Sequence, residues 1–402
     1  MSAEPGASSA GAQRRILLLT NFASDDLCGG AVIVRYWAQR LTAARIEWLS
    51  FAHPSGHVPV SAPHVFTRFE WLSMRGNVRL RLAPFWRWYK RAIWSPMVAR
   101  KLRERLNEFD VVWIVFDYGL IPIVWRLLPD LVDRRVHISL HDDPAFVAQR
   151  EGCSARFIEE IRRMREALPM LQASFDGVSE ELIADIAPPG QPTATVTLPS
   201  SDAAARVRLR RPADNGPLRI GFSGNFHGRD EFVAFIAALD RWSRRSGRPW
   251  QMVTYGDAAL GTLSPNIVAH GPTAPTLVAQ GLAKCDLLFL PSPLQRPEMR
   301  TNMPTKLVTY LEAAALIVAF APKGSATERV VRGHHLGPVM NSLDARDIDA
   351  AINSALCWNH EAAETGRALL LSHRFNESRI GHDLARQLGF AWLGSNTAPM
   401  RL

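Results

Sequence analysis

Short apolar runs, many of them β-branched, alternate along this chain with stretches of helical periodicity. That alternation constrains the fold more than any other feature. A strand buried on both faces must be covered by helices, so the pattern implies parallel sheets packed between helical layers. In the first half the predicted strands are 16–20, 46–51, 111–116, 136–140 and 173–178. A loop over 21–30, ending in Gly29-Gly30, follows the first of them and leads into a helix over 31–43 with Ile33, Trp37 and Leu41 on one face. Residues 200–217, SSDAAARVRLRRPADNGP, lose all hydrophobic periodicity and mark a boundary. A second series starts at once, with strands 218–222, 251–255, 267–269, 287–290 and 317–320 and helices such as 230–239 and 276–283. The predicted fold class is α/β, with two Rossmann-like doubly wound domains facing a cleft. In such a pair ligands are expected in that cleft, at the carboxyl ends of the strands.

The 402 residues leave room for two or three domains, and 47% hydrophobic against 21% charged residues is the balance of a folded globular chain. The expected organisation is a disordered tail over 1–14, an N-terminal domain over 15–205, a C-terminal domain over 206–377, and a closing helical stretch over 378–402. The tail, small and polar through residue 13, lacks the apolar core of a signal peptide. The strongly apolar run 111–125 is broken by Asp117 and Pro122 and is too short to cross a bilayer. Cys28, Cys153, Cys285 and Cys357 are far apart and read as free thiols of a cytoplasmic protein. The cysteines form no Cys-x-x-Cys pair, and no metal is expected.

The formal net charge of +9 is local. Residues 68–106 hold eleven Lys/Arg against Glu70 and Glu104, leaving 36 of each sign elsewhere. The same segment carries Trp71, Phe85, Trp86, Trp88, Tyr89 and Trp94. Cations interleaved with tryptophan suit an anionic membrane surface, and Trp86, Arg87, Trp88, Lys90 and Arg91 are the expected docking patch. Phosphate contact and base stacking would use the same residue types. No recognised nucleic-acid-binding motif accompanies them, so a nucleic-acid partner is not expected.

The densest chemical signal is PEMRTNMPTKLVTYLEAAALIVAFAPKGSATERVV, residues 297–331. Asn302 and Pro304 predict a helix running to about Ala315, with Leu307, Tyr310, Leu311 and Ala314 packing and Lys306 and Thr309 sharing a face at its first turns. Free N–H groups, the positive helix end and a lysine together suit a diphosphate, although a solvated surface lysine would have the same spacing. In the first half, Ser139-Leu140-His141-Asp142-Asp143-Pro144 leaves a strand directly, so His141 and its acids are expected at the carboxyl end. A histidine can move a proton near neutrality and a neighbouring carboxylate can orient it, while Asp142 and Asp143 could equally cap the next turn. Asp25 and Asp26, before Gly29-Gly30, are rival carboxylates, and Asp117 reads as a turn residue.

The run Pro304-Thr305-Lys306-Leu307-Val308-x-Tyr310-Leu311, followed by Ile317-Val318-Ala319, resembles the donor-binding helix of GT-B glycosyltransferases. It is most similar to the Pro-Ser/Thr-Lys-Leu branch of the retaining family 4-like group. Gly224-Asn225 after one strand, Gly256 after the next, the run CDLLFLPS ending at Ser292, and Gly177-Val178-Ser179-Glu180 resemble that group in order and spacing. The resemblance implies a C-terminal domain that binds a nucleotide-diphosphate sugar through Gly224, Asn225, Arg229, Gly256, Ser292, Thr305, Lys306 and Thr309. It also implies an N-terminal domain that binds the acceptor, a saccharide or lipid-linked saccharide, with Gly29 and Gly30 letting a phosphate approach. His141 would contact the transferred sugar, with Asp142 or Asp26 as the base if the reaction inverts. The last helix would return to the N-terminal domain, and no metal or other cofactor would be required.

This sequence departs from the group at two glutamates eight positions apart, here Thr301 and Thr309. A hydroxyl can bond a ribose but cannot accept the bidentate pair a carboxylate takes. The usual Arg/Lys pair is reduced to Arg229, with Asn225 and His227 nearby. The implied function is sugar transfer in the synthesis of a cell-surface polysaccharide or glycolipid, by a peripheral protein on the inner face of the cytoplasmic membrane. Two alternatives remain: a sugar-nucleotide epimerase or hydrolase on the same fold, and a weakened nucleotide-sugar-binding scaffold. Stereochemical outcome and oligomeric state are left open.

Overall fold

The computed structural model describes residues 13–22, 29–51, 90–201, 204, 207–211, 216–224, 228–256 and 258–392. Asp25, Asp26, Trp86, Arg87, Trp88, Asn225 and His227 lie outside the described residues, as do Cys28 and the two chain ends.

The described residues fall into two units. Unit 1 takes the described residues up to Gly177, with Ile186–Ala194 and residues 381–392, and unit 2 takes Val178–Asp185 and Thr195–Ile380.

Unit 1 carries a six-stranded sheet of β1 (Arg14–Thr20), β2 (Ala44–Ser50), β3 (Val111–Val115), β4 (Val136–Leu140), β5 (Ala173–Gly177) and β6 (Thr193–Thr195), ordered β2-β1-β3-β4-β5-β6. The β1–β2, β1–β3, β3–β4 and β4–β5 pairings are parallel. Its helices are α1 (Gly29–Arg40), α2 (Ser95–Arg105), α3 (Ile121–Leu131), α4 (Pro144–Arg150) and α5 (Ala155–Ala167). Because β2 and β3 lie on opposite sides of β1, the chain reverses direction across the sheet between β1 and β3, at the carboxyl ends of those strands. Asn21 spans this reversal, donating from Nδ2 to Asp117 Oδ1 at 2.7 Å. Asp117 Oδ1 also accepts from Gly119 N–H at 2.7 Å, the turn role its sequence suggested.

Unit 2 begins with α6 (Glu180–Ile186) and carries β7 (Leu218–Gly224), β8 (Trp250–Gly256), β9 (Ile267–Ala269), β10 (Leu287–Pro291), β11 (Leu316–Phe320) and β12 (Val339–Met340). Their order is β12-β11-β10-β7-β8-β9, and every pairing is parallel, so the reversal falls between β7 and β10. Its other helices are α7 (Arg229–Ser246), α8 (Pro275–Leu282), α9 (Lys306–Ala313), α10 (Ala326–Gly333), α11 (Ala345–Leu356) and α12 (His360–Leu369). α7 is well specified locally: Asp230 and Glu231 occupy its first turn, Arg244 and Arg245 its last, and Gly247 closes it at φ 67°. Its apolar side adds Phe232 and Phe235 to a core with Phe222, Phe289 and Phe320, and Phe235 stacks on Phe289 at 4.1 Å.

The closing helix α13 spans Glu377–Leu388. Ser174 Oγ and Arg135 Nη2 both donate to Gln387 O at 3.2 Å, and Trp392 packs edge-on against Trp37 at 5.9 Å, so the end of the helix belongs to unit 1's packing.

Two sequence expectations need correction. The helix carrying Lys306 starts at Lys306 instead of Pro304, because Pro297–Arg300 forms a 3₁₀ turn of its own and the carbonyl of Pro304 accepts a short-range bond from Leu307 N–H. It ends at Ala313, because Ala314 turns left-handed at φ 53°. The first helix begins at Gly29, two residues before the expected start, so Gly29 and Gly30 are its first turn and not the end of a loop.

Candidate functional site

In unit 2, α9 points its first residue at the β7–β10 reversal. Tyr310, one turn in, sets that placement: its buried hydroxyl donates to Phe289 O on β10 at 2.9 Å and accepts from Ser223 N–H on β7 at 3.1 Å. Lys306 is thereby laid over the end of β7, its Nζ 4.4 Å from the centre of the Phe222 ring. A Cβ on Gly224 would stand 3.3 Å from Lys306 Cε and Nζ, so the strand's last residue is in contact with the lysine chain.

The crowding removes water from the ammonium without supplying a counter-charge, and the Lys306 pKa falls to about 8. No carboxylate among the described residues pairs with it. A cation held on an aromatic face with no anion beside it is an incomplete electrostatic arrangement, and an anionic group would complete it.

Gly224 and Gly256 end β7 and β8 in register. Gly256 has φ 120°, and a Cβ there would lie 2.7 Å from Gly224 O, so the two strand ends approach too closely for any side chain. Ser292 follows β10 and is buried, its N–H bonded to Phe320 O at 3.0 Å. Thr305 precedes α9 without capping it by its side chain, and Thr309 is half-buried one turn on. Arg229 is exposed at the first residue of α7. Gly224, Gly256, Ser292, Thr305, Lys306, Thr309 and Arg229 therefore all sit at or next to carboxyl ends of the sheet or the helix starts that face them. Thr301 takes another part: its carbonyl accepts from the Ser179 hydroxyl, joining the 3₁₀ turn to the start of α6 within the same unit.

Sequence reading missed Glu231. It is buried in the first turn of α7, and its Oε1 accepts from Leu294 N–H at 2.7 Å, tying the loop after β10 to that helix.

In unit 1, His141 leaves β4 and meets the first turn of α1. A Cβ on Gly30 would stand 3.0 Å from its Nδ1, and that nitrogen is buried with no hydrogen-bond partner. Burial pushes the His141 pKa down, opposed first by Asp176 and then by Asp142. Asp143, by contrast, caps α4: its Oδ1 accepts from Ala145 N–H at 2.7 Å and Phe146 N–H at 3.4 Å. Asp142 is exposed.

Sequence reading also missed a polar ladder below His141. Trp113 Nε1 donates to Ser139 Oγ at 2.7 Å, and Ser139 Oγ donates to Asp176 Oδ2 at 2.8 Å. The same Oδ2 lies 2.6 Å from His137 Nε2, while His137 Nδ1 lies 2.8 Å from Ser174 Oγ. All five side chains are buried. The available signal was the polar residues at every second position in VHISL and ASFDG, strands that otherwise read as apolar.

Lys90 opens a π-helical turn over Lys90–Trp94, and Arg91 pairs with Glu160 on α5. Arg91 also stands near Arg156 and Arg126, and burial followed by these two like charges pushes its pKa down. Trp125 and Ile93, 44% and 39% exposed, lie on α3 and in the π turn respectively. Among the described residues no three His, Cys, Asp or Glu side chains are grouped to hold a metal ion, and no helix is long and apolar enough to cross a membrane.

No protein-family model matches the chain, and no curated protein matches it. Solved structures do. Sucrose-phosphate synthase from Thermosynechococcus elongatus is similar with a TM-score of 0.65 at 14% identity, over 93% of this chain and 99% of that one. WaaG, a glycosyltransferase involved in lipopolysaccharide biosynthesis, gives 0.60 at 11% identity, over 93% and 100%. HepE of Anabaena, in complex with UDP and glucose, gives 0.57 at 14% identity, over 93% and 99%. With its two doubly wound units, one sheet in each, this chain has the GT-B fold.

Proposed function

We propose that this protein is a glycosyltransferase that moves a sugar from a nucleotide-diphosphate sugar to an acceptor. The observation that carries the reading is Lys306, an ammonium without a carboxylate partner among the described residues, at the start of α9 and against the last residue of β7. Lys306 and the N–H groups of the first turn of α9 would bind the diphosphate, with Arg229 as a second cation and the Gly224 and Gly256 backbone allowing close approach. Asn225, outside the described residues, and Ser292, Thr305 and Thr309 complete the proposed donor set.

In unit 1, His141 is the proposed contact with the reacting sugar, and Asp142 or Asp26 the base if the reaction inverts. The bond from the anomeric carbon to the diphosphate oxygen breaks, and a bond from that carbon to the acceptor oxygen forms. The acceptor's proton passes to one of those carboxylates or to the departing diphosphate. No step in this scheme requires a metal. Gly29 and Gly30, in the first turn of α1, would admit the acceptor.

The acceptor we propose is a saccharide or lipid-linked saccharide of a cell-surface polysaccharide or glycolipid, reached by docking on the cytoplasmic face of the membrane. The likeness to WaaG and the crowded cations Arg91, Arg126 and Arg156 beside exposed Trp125 and Ile93 support it.

A panel of nucleotide sugars, each with and without candidate acceptors, tests the activity. Release of nucleoside diphosphate only when acceptor is present is the expected result. Turnover without acceptor would instead mark an epimerase or hydrolase, and failure of every nucleotide to raise the melting temperature would remove both. Co-sedimentation with anionic vesicles tests the docking: binding should fall when Arg87, Lys90 and Arg91 are neutralised, and binding that survives would overturn it.

A further inference from the structure

The buried ladder in unit 1 is oriented, and its orientation ends at His141. β4 and β5 pair with Ser139 opposite Asp176, His137 opposite Ser174 and Leu140 opposite Gly177. Residues two apart on a strand share a face, so His137 and Ser139 on β4 line up with Ser174 and Asp176 on β5. His141 continues that odd-numbered series one residue beyond the end of β4. Asp176 thus lies along β4 between two histidines four residues apart.

The hydrogen bonds treat its two oxygens unequally. Ser139 Oγ–H donates to Oδ2 at 2.8 Å and His137 Nε2 lies 2.6 Å from the same oxygen, while Oδ1 receives no hydrogen bond from the described residues. Trp113 Nε1–H, donating to Ser139 Oγ, leaves that hydroxyl's own proton for Asp176. The carboxylate is therefore fixed from below in one rotamer, with one oxygen uncommitted on a nearly fully buried side chain.

Above it, His141 Nδ1 is buried and unpartnered against Gly30. We infer that Asp176 is a positioning residue for His141, a carboxylate clamped by His137 and Ser139 that supplies the negative charge to which His141 responds. Its sequence neighbour Asp142 is exposed and screened by water, whereas Asp176 is buried. Asp176 from β5 and Asp142 beside it both favour the charged ring. The inference deepens the role proposed for His141 in sugar transfer.

The imidazole titration, followed by NMR on histidine-labelled protein with the His141 signal assigned by its loss in His141→Gln, tests this without turnover. A nearby carboxylate favours the charged ring, so Asp176→Asn should move the His141 midpoint down, and by more than Asp142→Asn does. An equal or larger shift in Asp142→Asn, or none in Asp176→Asn, would overturn the assignment. A second measurement needs no change at the buried position. The Asp176 carboxyl carbon should show a step at the His141 midpoint in the unaltered protein, and the step should vanish in His141→Gln. A missing step, or one that persists in that variant, would overturn the assignment equally. Because neither readout involves a nucleotide sugar, failure here is distinguishable from failure of the transferase reading.

Discussion

The surroundings of Lys306 and of His141 handle charge in opposite ways. Lys306 rests on the Phe222 ring and the Gly224 backbone without a counter-ion among the described residues, so its charge is costly until an anion arrives. His141 follows a strand whose buried carboxylate partner, Asp176, is held through Oδ2 by Ser139 and His137, so the charge near it belongs to the protein at all times. On the proposed function the first is a receptor left incomplete, while the second is held by the protein's own groups. A binding group gains affinity from being unpaired, whereas a group that must hold one orientation gains from a rigid charged neighbour.

That contrast is broken or sharpened by substitution, and the largest effect is expected in the compensated region. Asp176→Ala leaves His137 and Ser139 with unmet donors in a buried layer and should cost about 2–5 kcal/mol in denaturant unfolding. A loss below about 1 kcal/mol would show that the ladder is not a satisfied unit. Lys306→Ala should do the reverse, leaving stability intact or raised while weakening nucleoside diphosphate binding by about 1–3 kcal/mol in calorimetry. Unchanged affinity would take Lys306 out of the receptor.

The two regions should also separate by pH. Nucleoside diphosphate affinity should fall as pH rises through about 8, where Lys306 loses its proton, and Lys306→Arg should remove that fall. Stability runs the other way. The folded pKa is below the ordinary lysine value, so the unfolded chain holds the proton more tightly, and the penalty of the buried ammonium is relieved as pH rises from about 8 towards 10.5. A Lys306→Met variant should lack that gain in thermal unfolding. Smaller again, Tyr310→Phe removes the hydroxyl shared by Ser223 N–H and Phe289 O and should cost about 1–2 kcal/mol, with a loosened α9 lowering diphosphate affinity as well.

How much of this was legible in the sequence differs between the regions. Strands 136–140 and 267–269 were read to the residue, because each is a short apolar run bounded by turn or loop residues. The helix of Lys306 was misplaced by two residues at its start, since Asn302 and Pro304 are start signals wherever they occur, and only the 3₁₀ turn at Pro297–Arg300 shows that the backbone there is already committed. The strand β12 is two residues long and exists through its neighbour β11, so no local pattern announces it.

The sequence by itself determined the alternation, the break between two series, and the cationic start of the Pro304-Thr305-Lys306-Leu307 segment, because periodicity and punctuation are local and survive without neighbours. Tertiary structure alone decided that Lys306 would find an aromatic ring and not a carboxylate among the described residues, that Asp143 would cap a helix, and that Asp176 would meet Ser139 and His137. Those outcomes depend on which strands lie side by side and in what register. Ser139 and Asp176 are 37 positions apart in the chain, and hydrogen bonding between β4 and β5 brings them into register.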